Sequence, residues 1–380
     1  MTAKKYIFVF SAMLALLVLL VVGFNRVVDP FWYYRDFVID GFNVVKPRFK
    51  KYERHVKPAL VQREQPASLI FGSSYSEIGF NPKHPALRAA GKSYNFALAG
   101  ASWDMVYCDV QFALKHDAAL RQIVLGIHPD TLPQKECREE IVKMENPEER
   151  AFLFSYDALE TSIITVLEQP RRKPTHTAEG LYFYTRGISG TDRRFREHFA
   201  LYTPCRIDHV SASVSSTALN KQINPDLSGL LDIVRQTKKR GIVLKVFVYP
   251  RHALSFEQEY QCGTRQVRWD TLKQVVSAVE AEKSNLVEVW DFEGYHAIGT
   301  DTISDAAGAN WQDPAHFNFE VGNIMLDEMF AIKKPVFGER LTSKNMAARV
   351  AAERKQRAAY LEEHPEFLKQ LESLLPHRAN

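Results

Sequence analysis

Short apolar runs separated by helical stretches constrain the fold of this chain more than any other feature. Residues 68–71 (SLIF), 93–97, 122–127 (QIVLGI), 241–249 (GIVLKVFVY) and 286–292 (LVEVWDF) read as strands. Residues 103–115, 228–240 and 267–283 read as helices between them. Strands this apolar, alternating with helices, predict an α/β fold: a parallel five-stranded sheet covered on both faces. Between residues 129 and 225 the rhythm breaks. Residues 146–167 look helical and 180–184 extended, while the rest is polar, aromatic and turn-rich. Residues 130–225 therefore read as an insertion over the edge of the sheet where substrate recognition usually sits.

The N-terminus sets the location. Residues 6–24 form a stretch of 19 residues without charge, which as a helix spans roughly 28 Å, close to the hydrocarbon thickness of a bilayer. Lys4 and Lys5 before it favour an inside N-terminus, although Arg26, Arg35, Arg48, Lys50 and Lys51 make the other flank basic too. Val21-Val-Gly-Phe-Asn25 offers no small-residue cleavage site, so an uncleaved anchor is expected rather than a signal peptide. The expected organisation is an anchor at 1–25, a membrane-proximal stalk at 26–66, the α/β domain at 67–335 and a charged helical tail at 336–380. In the stalk, Phe31, Trp32, Tyr33 and Tyr34 suit either a membrane interface or packing onto the domain. The tail reads as a solvated helix face.

Composition narrows the chemistry. A net charge of +4 over 380 residues, with no concentrated basic face, argues against a nucleic-acid partner. Cys108, Cys137, Cys205 and Cys262 show no metal-ligand spacing. In an extracytoplasmic domain one disulfide can form, and Cys205–Cys262 is the candidate because both lie in loop-like segments. No P-loop, dinucleotide fingerprint or metal motif occurs, so no cofactor and no metal are expected.

Three features fall at the carboxyl ends of the expected strands, where ligands bind in open parallel sheets. Ser73 and Ser74 follow the first, Gly100 the second and His128 the third. Gly72 allows a sharp exit from the sheet. A serine opening the next helix lies beside backbone N–H groups that can stabilise an oxyanion. Far downstream stands Asp313-Pro-Ala-His316. A three-residue spacing in a helical turn puts both side chains on one face, so the carboxylate can orient the imidazole toward a serine. Each motif alone also has a capping explanation. Gly-Ser-Ser suits a serine N-cap, and Asp-Pro suits the N-cap and first residue of a helix running toward Phe330.

Together these residues resemble the SGNH/GDSL family of esterases and acyltransferases. Gly72-Ser73-Ser74 matches the first block, with Ser74 at the nucleophile and Ser73 at the usual acidic position. Asn95-Phe-Ala-Leu-Ala-Gly100 looks like the second block, and Asp313 with His316 the last. The resemblance spans residues 68–330 apart from the insertion. It implies a flavodoxin-like three-layer sandwich, a Ser74–His316–Asp313 triad, and an oxyanion hole from the Ser74 and Gly100 N–H groups. The family's third block carries an Asn that donates to the oxyanion, whereas here Gly126-Ile-His128-Pro129 stands. His128 is the candidate replacement. Losing one such donor typically costs about 100- to 1000-fold in rate, which weighs against fast hydrolysis more than against acyl transfer to a bound acceptor. Asp130 is expected to cap a helix.

The anchored arrangement is similar to D-alanine transfer and polysaccharide O-acetylation proteins. That similarity implies a single-pass protein of the bacterial cytoplasmic membrane with its domain on the outer side. It further implies a cell-surface glycan or acyl-ester substrate, and a membrane-bound acyltransferase or polysaccharide synthesis complex as partner. A catalytically degenerate glycan-binding or assembly protein is the alternative. His252, His296, Trp103, Trp290, Trp311 and the Tyr182-Phe-Tyr184 cluster could line a cleft, with structural packing the default for each.

Overall fold

A computed structural model describes residues 2–129, 132, 137, 150–169, 173–183, 192–201, 225–303 and 310–375. Its helices are α1 (Ala3–Val28), α2 (Phe49–Glu64), α3 (Ser74–Gly79), α4 (Pro85–Arg88), α5 (Trp103–His116), α6 (Ala151–Phe154) and α7 (Tyr156–Glu168). They continue with α8 (Asp192–Leu201), α9 (Ser228–Arg240), α10 (Ala253–Gln261), α11 (Arg265–Ala281), α12 (Phe319–Met329), α13 (Met346–Glu363) and α14 (Glu366–Leu374). Strands β1 (Ser68–Phe71), β2 (Ser93–Asn95), β3 (Gln122–Ile127), β4 (Val243–Val248), β5 (Val287–Asp291) and β6 (Glu339–Leu341) join in one sheet, in the order β2-β1-β3-β4-β5-β6.

Side-chain alternation divides the core into two. Leu69 and Phe71 of β1, Ile123 and Leu125 of β3, and Leu244 and Val246 of β4 face helices α2, α5, α9 and α11. Ile70, Val124 and Phe247 point the other way, toward α10, α12 and α14. Because both faces are dry, the strands are continuous apolar runs rather than alternating ones. The chain is therefore an α/β protein, as expected, but its sheet is not five parallel strands. Five strands run parallel, and β6 adds an antiparallel edge through Val289↔Leu341. Glu339-Arg-Leu341 is too short and polar to carry a strand period, so only pairing with β5 reveals it. Since β2 and β3 flank β1 on opposite sides, the connections diverge there, which makes the carboxyl ends of β1 and β3 the topological switch point of the sheet.

Helix α1 is long and apolar enough to cross a membrane. The segment after it packs onto the domain: Phe31 and Tyr33 are each 3% exposed, and α2 buries Val56, Leu60 and Val61 against the sheet. The tail departs from the expected solvated helix. Arg349 of α13 reaches Asp291 at the end of β5 (2.7 Å), and Tyr260 donates to the buried Glu353 (2.8 Å). Beside them Glu293 pairs with Arg251 (2.9 Å), Arg265 (2.8 Å) and Arg268 (2.9 Å). Burial raises the Glu293 carboxyl pKa, but the guanidinium groups of Arg251, Arg268 and Arg265 outweigh it and hold the group well below the usual carboxylate range. Sequence periodicity is blind to such a network because its members come from α10, α11, α13 and the segments after β4 and β5.

Cys108 of α5 is bonded to Cys137, a pairing that loop-likeness did not favour because Cys108 lies on a buried helix face. Cys262 is also disulfide-bonded. The expected partner Cys205 lies outside the described residues, as do Asp130 and most of the 130–149 segment.

Replacing Glu293 by Ala leaves three buried guanidinium groups without their shared carboxylate. A loss of about 3–5 kcal/mol is expected for breaking a buried ion pair of this kind, measured as the urea unfolding midpoint of the full chain in detergent.

Candidate active site

The turn after β1 is built around a tyrosine. Gly72 adopts φ +143°, and a Cβ there or at Gly126 would overlap the Tyr249 side chain. Tyr249, at the end of β4 and 1% exposed, fills the space both glycines leave. Its hydroxyl accepts from the Ser73 N–H (2.9 Å) and lies 3.2 Å from the Ser76 hydroxyl. Ser73 is the N-cap of α3, so Ser74 becomes the first helical residue, just beyond the carboxyl end of β1. The Ser73 hydroxyl is itself buried without a hydrogen-bond partner among the described residues.

Ser74 Oγ lies 2.8 Å from His316 Nε2, and His316 Nδ1 lies 2.8 Å from Asp313 Oδ2 and 3.0 Å from Oδ1. A carboxylate only accepts hydrogen bonds, so the proton sits on Nδ1 and leaves Nε2 free to accept from the serine. The Asp313-Pro-Ala-His316 turn is not the start of a helix as the sequence suggested; α12 begins later, capped by Asn318. Instead Asp313 Oδ1 accepts the N–H groups of Ala315 (2.8 Å) and His316 (2.9 Å), inside a β-bridge between Trp311 and Phe317. The three-residue spacing still places acid and imidazole together, through a side-chain-closed bend. Burial raises the Asp313 pKa, but the His316 imidazole and its hydrogen bond, with His198 and the Ala315 N–H, bring it down to about 2.

The second segment follows β2. The Leu98 N–H donates to the Gly72 carbonyl (3.1 Å), tying the loop that carries Gly100 to the nucleophile turn. The Ala99 N–H donates to Glu77 Oε2 (2.9 Å) and Lys57 Nζ to the Ala97 carbonyl (2.5 Å). Asn95 Nδ2 donates to the carbonyls of Ser76 (2.9 Å) and Phe80 (3.0 Å), clamping α3 against β2. His128 enters the aromatic cluster around the nucleophile, its ring 5.0 Å from Tyr75 and 4.6 Å from Tyr249. Tyr75 in turn lies 4.9 Å from the His316 ring.

Glu77 is the electrostatic centre beneath α3. Burial raises its pKa, but Lys57 above all, with the His176 ring beside it and the charge of Lys50, holds it well below the usual range. Lys57 Nζ is 3.0 Å from one of its oxygens and Lys50 Nζ 2.8 Å from the other. Glu53, Glu77 and His176 present ligand-type atoms within 4.8 Å of one another. With two ammonium groups already on these carboxylates, a divalent cation would meet strong repulsion, and the cluster reads as an ion-pair lock.

Sequence reasoning missed Tyr249, Tyr75, Lys57, Glu77 and His198. Tyr249 does follow an expected strand, and Tyr75 is next to the serine, so position alone could have raised both. Lys57 and Glu77 carry no local signal. His198 of α8 reaches 4.0 Å from Asp313, and burial pushes its imidazole down to about 4 despite that carboxylate. His252 and His296 are structural. His252 Nδ1 caps α10 by accepting from the Leu254 N–H (3.2 Å), and His296 Nδ1 accepts from the Gly299 N–H (3.1 Å). Trp103, Trp290 and Trp311 are buried in the core. Tyr182 stacks on His176 at 4.5 Å, while Tyr184 lies outside the described residues.

No protein-family model and no curated protein matches this chain.

Two outcomes follow from this geometry. Tyr249→Phe removes the acceptor of the Ser73 N–H, which costs about 1–3 kcal/mol for a buried unpaired donor, and loosens the nucleophile turn. Lower thermal stability and slower labelling of Ser74 by a fluorophosphonate are the expected readouts. The depressed Asp313 pKa, 3.8 to about 2, contributes stability that is complete above its unfolded value and lost as pH falls through the folded one. The contribution is on the order of 2 kcal/mol. Urea unfolding between about pH 5 and pH 2 should therefore show a shallower acid dependence in Asp313→Asn than in the parent chain.

Proposed function

We propose that this chain is a membrane-anchored serine esterase or O-acyltransferase of SGNH type, acting on acyl groups of a cell-surface polysaccharide. The observation that carries this reading is the hydrogen-bonded chain from Ser74 Oγ through His316 to Asp313. The β2-β1-β3-β4-β5 part of the sheet supports the finer fold assignment, because it follows the strand order of flavodoxin-like sandwiches. A nucleophile after β1 and an Asp-x-x-His pair after β5 fit the same pattern. Helix α1 supports anchorage, and the Cys108–Cys137 disulfide favours an oxidising compartment outside the bacterial cytoplasmic membrane.

In this mechanism Ser74 Oγ attacks the acyl carbonyl while His316 Nε2 takes the hydroxyl proton. The Ser74 and Gly100 N–H groups, with His128 in place of the family's Asn, face the developing oxyanion. His316 then protonates the departing alkoxide, leaving an acyl-serine. Water, or a glycan hydroxyl held beside the site, attacks the acyl carbonyl as it gives its proton to His316; the acyl–Oγ bond then breaks, and His316 returns that proton to Ser74 Oγ. Asp313 keeps the imidazole in the required tautomer throughout. The partner is a membrane-bound acyltransferase or a polysaccharide synthesis complex that supplies the acyl donor.

A second reading has its own support. His128 for Asn and Ser73 for the acidic residue are departures that suit a degenerate SGNH fold serving as a glycan-binding or assembly protein.

The two separate on Ser74. In the full chain purified in detergent, Ser74 should be labelled by a fluorophosphonate and p-nitrophenyl acetate should be hydrolysed. Ser74→Ala should lower turnover by at least about 1000-fold. Full esterase activity in Ser74→Ala rejects the triad, and an unlabelled Ser74 with glycan binding intact supports the second reading.

A further inference from the structure

Helix α7 is inside out. Its inward face carries Ala158, Thr161, Ser162 and Thr165, all at most 1% exposed. Its outward face carries Tyr156 (79% exposed), Ile163 (45%) and Leu167 (69%). With Leu159, these outward residues recur at helical spacing along one stripe. A surface helix of a water-soluble domain has the reverse arrangement. Small hydroxyl residues facing the protein and large apolar ones facing away are what a helix in contact with lipid shows.

The stripe belongs to a larger apolar collar. Helix α7 packs alongside α1, and Asn25 Nδ2 of α1 donates to the Leu153 carbonyl of α6 (2.8 Å). Just beyond α1, Phe37 (49%), Val38 (67%) and Ile39 (49%) are exposed. Asn43 holds this loop to the end of α1 through the carbonyls of Val27 (3.0 Å) and Phe37 (2.8 Å). The Gln169 side chain exchanges two hydrogen bonds with the Val45 backbone, fastening the same segment to the end of α7. The Arg26 charge at this level is paired with Asp36 and lies over the Tyr34 ring. The exposed apolar groups are thus held by hydrogen bonds and continuous with the exposed apolar surface of α1, while Asp157 and Glu160 lie on the same helix at the headgroup level of such a surface.

We infer that α7 and the 37–39 loop embed in the lipid surface around the exit of α1, seating the domain flat on the membrane. This rests on the reading of α1 as membrane-spanning. Continuity with α1 selects lipid as the occupant, because the surface next to a spanning helix at its exit is the headgroup and acyl boundary, where a tyrosine such as Tyr156 is favoured. The seating also orients the site. Val45, bonded to the end of α7, leads within a few residues to Phe49 and Lys50, and Lys50 grips Glu77 beneath the nucleophile. The edge that bears Ser74 therefore lies beside the membrane, where a lipid-linked or membrane-delivered acyl donor arrives.

Spin labels test this in the full chain, reconstituted in phosphatidylcholine–phosphatidylglycerol nanodiscs. The described cysteines are disulfide-bonded, which leaves single introduced cysteines free for labelling. The positions are Leu14→Cys in α1, Val38→Cys and Leu167→Cys in the collar, and Lys239→Cys at the opposite edge of the sheet. Collisions with oxygen, which partitions into lipid, are compared with those of a water-soluble nickel chelate. Labels at 14, 38 and 167 should favour oxygen, and the label at 239 should favour nickel. If 14 favours oxygen while 38 and 167 favour nickel, the anchor stands and the collar is wrong. Nickel preference at 14 as well overturns both. Shielding of 167 from both reagents means a protein contact in place of lipid, and it also overturns the proposal.

Discussion

The buried carboxylate of Glu77 holds together the edge of the sheet that bears Ser74. Three parts of the chain meet on it: Lys50 and Lys57 from α2, the Ala99 N–H from the loop after β2, and α3, which carries it three residues beyond Ser74. Burying an acid costs several kcal/mol unless charge and hydrogen bonds replace its water. Here they do, so helix α2, the Ser74 turn and the loop that carries Gly100 are coupled through one group.

A parallel sheet is what lets two distant segments make one site. Ser74 leaves β1, and the Asp313–His316 bend comes after β5, separated in sequence by the whole sheet. Parallel strands bring all their carboxyl ends to one edge, and the change of direction at β1 makes that edge the switch point where ligands bind in such sheets. Tyr249 then sets the fine geometry from β4. It occupies the gap left by two glycines and holds the Ser73 N–H, so the Ser73–Ser74 turn is braced from beneath by a residue set back from Ser74 Oγ.

Much of this was legible in the residue pattern. The apolar runs located β1, β3, β4 and β5 because strands buried on both faces leave few polar positions, such as the paired Lys245 and Glu288. Ser74, Asp313 and His316 were recognisable from motif order, and the structure brings them within hydrogen-bond reach. Other features were not legible. Strand β6 has no apolar period, and the buried roles of Arg349 and Glu353 depend on partners from other elements. The Asp313 bend was mistaken for a helix start because Asp-Pro serves both kinds of turn. The inverted burial of α7 was hidden too, since period alone says that a helix is amphipathic without saying which face is outside.

By itself, then, the order of residues determined the α/β class, the apolar N-terminal helix and which three side chains, Ser74, Asp313 and His316, meet in one hydrogen-bonded chain. These rest on local chemistry: burial period, length of an uncharged run, and functional groups at strand ends. Only the tertiary structure decided the antiparallel edge of the sheet, the docking of the tail, the Cys108–Cys137 link, the bracing by Tyr249 and Glu77, and the outward apolar face of α7. Each of these is a pairing between segments remote in sequence, and the free energy that selects one partner over another comes from packing and desolvation that exist only once the chain has closed on itself.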